Sequence, residues 1–105
     1  MDENSFARRL ASLRTKKNIS AREMSLALGQ NPSYINRIEN GHAYPSMQCF
    51  FYICDYLGVT PAEFFDPQNA DPGRQRSAME ALRHLDARQL DIIQAVINEF
   101  LGMQP

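Results

Sequence analysis

The sequence predicts an all-α fold. Apolar residues recur at helical spacing in successive segments. Ser, Thr, Asp or Asn stands at a capping position before most of these segments, and Gly or Asn closes them. No stretch alternates apolar with polar as a half-buried strand would, and no internal repeat occurs.

The first helix is expected over about Ser5 to Lys17, where Phe6, Leu10 and Leu13 fall at i, i+4 and i+7 on one stripe, and Asn18 is a left-handed stop. Ser20 opens the second, with Glu23 at the capping-box position ahead of Met24, Ala27 and Leu28, and Gly29 ends it. Asn31 is expected to cap the third helix, with Pro32 in its first turn, where a missing N–H costs nothing. Ile35 and Ile38 face inward, and Asn40-Gly41 closes it. Pro45-Ser46 opens the fourth, whose wide apolar face is Met47, Phe50, Ile53, Cys54 and Leu57, stopped by Gly58. The Phe50-Phe51-Tyr52 run is read as mostly core, with Phe51 the member that reaches a surface. Thr60 to Glu63 is a second capping box, which starts a short fifth helix ending near Phe65.

Residues 1–66 thus form one expected domain. Residues 67–73 are expected to be a linker, because Asp66 to Gly73 holds two Asp-Pro turns and no apolar anchor. Residues 74–105 form a helical tail. Its first helix, about residues 74 to 84, is weak, with Met79 and Leu82 inside. Its second is capped by Asp86 with Gln89, and carries Leu90, Ile93, Ile97 and Phe100 in one stripe that Ile92, Val96 and Leu101 widen, before Gly102.

The bulk numbers bound the function. A chain of 105 residues that is 44% hydrophobic suits one compact domain with an appendage. A net charge of −1 argues against general polyanion binding. The charge is uneven, however. Seven basic residues (Arg8, Arg9, Arg14, Lys16, Lys17, Arg22 and Arg37) lie between positions 8 and 37 against the single acid Glu23, whereas four Arg face six Asp and Glu from Asp66 onward. Arg8, Arg9, Lys16, Lys17 and Arg22 are read as a solvated face that also adds long-range attraction to an anionic partner. Cys49 and Cys54 are too poorly spaced for a metal pair and lack a His–Cys cluster, so they are read as reduced thiols. With no membrane-length apolar run and no signal-peptide pattern, the expected location is cytoplasmic. No nucleophile–base constellation, metal motif or glycine-rich phosphate loop is visible. An enzyme, a cofactor and a small-molecule ligand are therefore not expected.

The paired helices of residues 19 to 41 suggest DNA instead. The major groove admits one α-helix, and reading it takes a short helix with a polar outer face and an inner face locked by a core. Here Ile35 and Ile38 anchor, while Ser33, Tyr34, Asn36 and Arg37 point outward. Asn suits adenine and Arg suits guanine. The starts of the two helices, at Ser20 and Asn31, offer free N–H groups to phosphates.

The run Ile19-Ser20, Met24, Leu28-Gly29, Ser33-Tyr34-Ile35, Arg37-Ile38-Glu39-Asn40-Gly41, Pro45-Ser46 and Leu57-Gly58-Val59-Thr60-Pro61 resembles the phage repressor and Cro (XRE-type) family of helix-turn-helix regulators over about residues 5 to 66. The resemblance implies a five-helix, lambda-repressor-like DNA-binding domain. It implies base-reading by Pro32, Ser33, Asn36 and Arg37. It also implies DNA-backbone contacts by Ser20, Ala21 (through its amide), Arg22, Asn31, Tyr34, Asn40, His42 and Tyr44. The chain departs from the family pattern three times: Ala21 stands where many members have Gln, Pro32 replaces a polar base-reader, and Ser25 replaces the usual Ala at the tight helix–helix contact. The Ser25 hydroxyl can bond back to the carbonyl one turn earlier. Arg14 and Glu39 resemble the family's structural salt bridge, and Cys54 takes a small buried position. His42 is read as a solvated loop residue.

The tail's apolar stripe needs a covering surface, either the first domain in cis or the same tail of a second chain. The second is favoured, because a two-fold dimer doubles the contact on a palindromic site. Leu90, Ile93, Ile97 and Phe100 are accordingly assigned to homodimerisation. The expected function is a sequence-specific DNA-binding regulator, a repressor acting as a homodimer on double-stranded DNA. An antitoxin or protein-interaction module, for which Leu26 is a candidate exposed contact, is the alternative.

Overall fold

The structure, a computed structural model, describes residues 2–102. Seven helices occur among them: α1 (Glu3–Lys16), α2 (Ala21–Ala27), α3 (Tyr34–Glu39), α4 (Met47–Leu57), α5 (Pro61–Phe64), α6 (Pro72–Leu82) and α7 (Ala87–Phe100). There is no strand among the described residues. The chain divides into two compact units, Met1–Gly73 and Arg74–Pro105.

Four helices of the first unit, α1, α2, α4 and α5, begin on a side-chain oxygen. Asp2 accepts from the Ser5 N–H at 2.8 Å, Ser20 from Glu23 at 2.9 Å, Ser46 from Cys49 at 3.1 Å and Thr60 from Glu63 at 3.1 Å. Each bond satisfies a donor that the helix itself leaves unpaired. Asp2 starts α1 two residues before the expected Ser5, because the cap lies upstream of the first apolar residue. At Ser20 only the Ser half of the expected box is formed; at Thr60 both halves are. Asn18 takes the left-handed stop at φ 56°.

The core draws one stripe from each helix: Phe6, Leu10 and Leu13 from α1, Met24 from α2, Ile35 and Ile38 from α3, Phe50, Ile53, Cys54 and Leu57 from α4, and Phe64 from α5. Phe64 lies in an aromatic cluster, 5.0 Å from Phe6 and 5.1 Å from Phe50 between ring centroids. Each such large side chain, fully buried, contributes about 1.5–3 kcal/mol. On α4 only the i, i+3, i+4, i+7 positions point inward. Phe51 reaches the surface as expected, but Tyr52 and Met47 do so too, so the aromatic run is mostly surface rather than core. Cys54 is buried as expected, and burial pushes its thiol pKa up to about 11.

Two readings of the sequence are corrected here. Arg9 is not part of a solvated face; it is 5% exposed. Its Nε donates to the Phe64 carbonyl at 2.7 Å, and Nη2 donates to those of Glu63 at 2.7 Å and Asn69 at 3.0 Å. The first two are carbonyls at the C-terminal end of α5, where a cation is favoured by the helix dipole. Loss of solvent lowers the Arg9 pKa, and the Asp66 charge partly offsets this. Asn69 and Pro72 are buried, so residues 67–73 are held to the first unit instead of hanging free. The sequence offers no apolar anchor there because the anchor is a backbone carbonyl meeting a guanidinium.

Helix α6 runs Pro72–Leu82, starting earlier than expected with its first two residues in the first unit and the rest in the second, and Met79 is exposed rather than inside. Asp86 and Gln89 form the full capping box that starts α7. No residue of α7 is buried: Leu90, Ile93, Ile97 and Phe100 are all open, Phe100 at 84%.

Replacing Arg9 tests the polar anchor. Arg9→Met keeps most of the stem but strands three carbonyls, and is expected to lower unfolding free energy in urea by about 2–3 kcal/mol. An unchanged midpoint would show that water replaces the guanidinium without loss.

Candidate nucleic-acid interface

The helix pair α2–α3 is fixed by backbone geometry and one buried hydroxyl. Gly29 lies at φ 74°, a conformation that favours glycine, and ends α2. The Gly29 N–H donates to the Leu26 carbonyl at 3.0 Å and the Gln30 N–H to that of Ser25 at 2.9 Å, which reverses the chain toward α3. Ser25 is fully buried. Its Oγ donates to the Ala21 carbonyl at 2.7 Å, as expected, and also accepts from the Ile35 N–H at 2.9 Å. The second bond joins α2 to the first turn of α3 and satisfies a buried donor.

The entry to α3 differs from expectation. Pro32 and Ser33 form a turn before the helix, and the helix starts at Tyr34. Asn31 does not cap α3 itself. Its Oδ1 accepts from the Ser33 N–H at 3.0 Å and from the Ser33 hydroxyl at 2.8 Å, an Asx-turn that competes with the helical start. The exit is a second chain reversal, with Gly41 and His42 N–H groups donating to the Ile38 and Arg37 carbonyls at 3.0 and 2.9 Å.

The far end of α3 is clamped to α1. Arg14 Nε and Nη2 donate to the two Glu39 oxygens at 2.7 and 2.8 Å, and Nη1 donates to the Ile19 carbonyl at 2.7 Å. The hydrogen bond to Glu39 is the main cause that raises the Arg14 pKa, against the opposing loss of solvent. Glu39 is thereby neutralised within the scaffold instead of presenting charge to a polyanion.

All four residues assigned to base-reading, Pro32, Ser33, Asn36 and Arg37, are exposed at the start and outer face of α3, backed by the fully buried Ile35 and the almost fully buried Ile38. Asn36 Oδ1 accepts from Asn40 Nδ2 at 3.1 Å, so the two share one side of the helix. Of the backbone set, Ser20, Arg22, Asn31, Asn40, His42 and Tyr44 are exposed, while Ala21 and Tyr34 are half-buried and packed on the core. Burial, then a bond with Cys49, pushes the Tyr34 hydroxyl up to about 12, keeping it protonated. The Cys49 thiol, also approached by Gln30 Nε2 at 3.6 Å, is lowered by bonds from Ser46 and Tyr34. The Tyr44 ring stands edge-on to Phe6 at 5.6 Å, which anchors the loop after α3. The bridging role of Ser25 and the Asn31–Ser33 link were not read from the sequence; an Asn two residues before a Ser is the local signal for the latter.

Residues 10–64 match the model of a helix-turn-helix family. The chain belongs to the XRE-type helix-turn-helix family. As a member it is a DNA-binding transcriptional regulator and not an enzyme. In fold it is similar to the clp gene regulator ClgR from Corynebacterium glutamicum, with 24% identity, 97% of this chain and 95% of that chain covered, and a TM-score of 0.56. That likeness extends the all-helical reading beyond the matched domain. No curated protein matches the chain.

The Arg14–Glu39 clamp gives a stability prediction. Their side chains are 15% and 11% exposed, so Glu39→Ala leaves a largely desolvated guanidinium unpaired. A loss of about 2–3 kcal/mol is expected in chemical denaturation, below that of a fully buried pair. A loss within a few tenths would place the pair with ordinary surface bridges.

Proposed function

We propose that this regulator is a repressor that occupies a two-fold symmetric operator as a homodimer. The observation that carries the reading is the outer face of α3: Ser33, Asn36 and Arg37 exposed together, beside Pro32, on a helix held rigid from behind. Asn36 would accept and donate along an adenine edge, and Arg37 would donate to guanine O6 and N7. Ring contact by Pro32 would suit a thymine methyl. Around this face Ser20, Ala21, Arg22, Asn31, Tyr34, Asn40, His42 and Tyr44 would set the register on phosphates, which positions the helix without selecting sequence. The exposed Arg8, Lys16, Lys17, Arg22 and Arg37 supply long-range attraction.

Dimerisation is assigned to the second unit. The stripe of Leu90, Ile93, Ile97 and Phe100 is open along all of α7, and a second copy offers the same stripe for mutual burial. Pairing would place two α3 helices on successive turns of one DNA face, and repression would follow from steric exclusion of polymerase.

Selection of bound duplexes from a random pool tests both parts. The full chain is expected to recover inverted half-sites about one helical turn apart. Asn36→Ala and Arg37→Ala should each cost about 1–3 kcal/mol and relax one base pair per half-site. Ile97→Asp should abolish recovery of the paired half-sites. An unchanged motif in the α3 variants removes those residues from base-reading, and an asymmetric wild-type motif contradicts the dimer.

A further inference from the structure

The Asn31–Ser33 link sets the chemical character of one base-reading group. A serine hydroxyl has one hydrogen to donate and two lone pairs to accept with. Which of these faces DNA depends on where the hydrogen is already committed. Here the Ser33 hydroxyl donates to Asn31 Oδ1 at 2.8 Å. The direction of that bond is fixed by a neighbour: the same Asn31 atom receives the Ser33 backbone N–H at 3.0 Å. A backbone N–H can only donate, so the Asn31 atom it meets is the carbonyl oxygen and not the amide nitrogen. Both lone pairs of that oxygen are then taken by Ser33.

The lone pairs of the Ser33 hydroxyl are not used by the helix. A serine at the N-cap ordinarily accepts from an N–H two or three residues on. Ser33 occupies the N-cap of α3 and makes no such bond. The Ile35 N–H goes to Ser25 Oγ instead, and the Arg37 N–H goes to the Ser33 carbonyl. The side chain is exposed, its hydrogen is committed inward, and its acceptor capacity is open to solvent.

We propose that Asn31 makes Ser33 an acceptor-only reader, so that Ser33 selects a base carrying an exocyclic amino group in the major groove. This rests on α3 reading the groove, as proposed above. Adenine N6 and cytosine N4 present such a donor there, whereas guanine and thymine present acceptors at the corresponding edge. Asn31 is a positioning residue in this scheme. It shapes base choice through Ser33, while its own Nδ2 is left to donate to a phosphate. The discrimination is about fivefold, the value of one net hydrogen bond, because a guanine or thymine is met only by breaking the Asn31 link.

The test compares full-length wild type with Asn31→Ala, Asn31→Asp and Ser33→Ala in selection from a random duplex pool, followed by affinities on single-base variants of the selected site. Wild type should favour adenine or cytosine about fivefold at one position of each half-site. Ser33→Ala identifies that position by losing the preference there. Asn31→Ala frees the hydroxyl hydrogen, so the same position should accept all four bases within about twofold, with the rest of the motif kept. Asn31→Asp keeps an acceptor oxygen, so it should retain the preference even though the added charge weakens binding to every duplex alike. A thermal melt of each variant separates a lost preference from a lost fold, and Asn31→Asp and Ser33→Ala carry the comparison if Asn31→Ala unfolds. A preference unchanged in Asn31→Ala, lost in Asn31→Asp, or for guanine or thymine at the Ser33 position overturns this inference alone. A wild-type chain that selects no motif overturns it together with the groove-reading role of α3.

Discussion

The orientation of α3 depends on one hydroxyl buried between two helices. Ser25 spends its hydrogen on its own helix, at the Ala21 carbonyl, and its lone pair on the next one, at the Ile35 N–H. A six-residue helix such as α3 is far below the length at which a helix is stable by itself. It persists because Ile35 and Ile38 are locked in the core, Ser25 holds its first turn, and Arg14 holds Glu39 at its last. Because Ser25 satisfies the first-turn donor from behind, no group on the outer face is needed as a cap. Ser33 keeps its lone pairs for another purpose.

Charge is sorted by the same scaffold. Arg9 and Arg14 are drawn inward, one onto carbonyls at the end of α5 and the segment after it, the other onto Glu39. Arg8, Lys16, Lys17, Arg22 and Arg37 stay at the surface. The first unit holds seven Lys and Arg against eight Asp and Glu, so it is nearly neutral as a whole; its surface cations are set apart by placement, and the acid Glu39 on α3 is neutralised by Arg14. Charges left unpaired away from water would cost far more than they return, and each of these two guanidinium groups meets three acceptor oxygens.

Much of this was legible in the sequence because it is local. Caps three residues before their partners, glycine at helix ends and apolar residues at i, i+3 and i+4 are short-range signals, and they place α1, α2, α4, α5 and α7 within a few residues. The outer face of α3 followed from Ile35 and Ile38, which fix its inner face. What escaped was long-range or competitive. Arg9 looks like a surface charge until Phe64 and Asn69, more than fifty residues away, fold over it. Pro32 fits the first turn of a helix, but the Asx-turn of Asn31 claims the same backbone, so α3 begins at Tyr34. Met79 sits at a plausible inward position on α6, yet nothing in the local pattern says whether a partner surface exists to receive it, and it is exposed.

The most direct measurement is amide hydrogen exchange at Ile35 in the full chain. An N–H in the first turn of a short helix ordinarily exchanges fast, since no carbonyl of its own helix reaches it. With Ser25 Oγ as its partner in a fully buried setting, the Ile35 amide should exchange only when the first unit unfolds as a whole, at the rate of core amides such as those of Leu10 and Ile53. Exchange orders of magnitude faster than those core amides would mean that α3 opens independently of α2, and that the rigid pairing on which the proposed reading face depends does not hold.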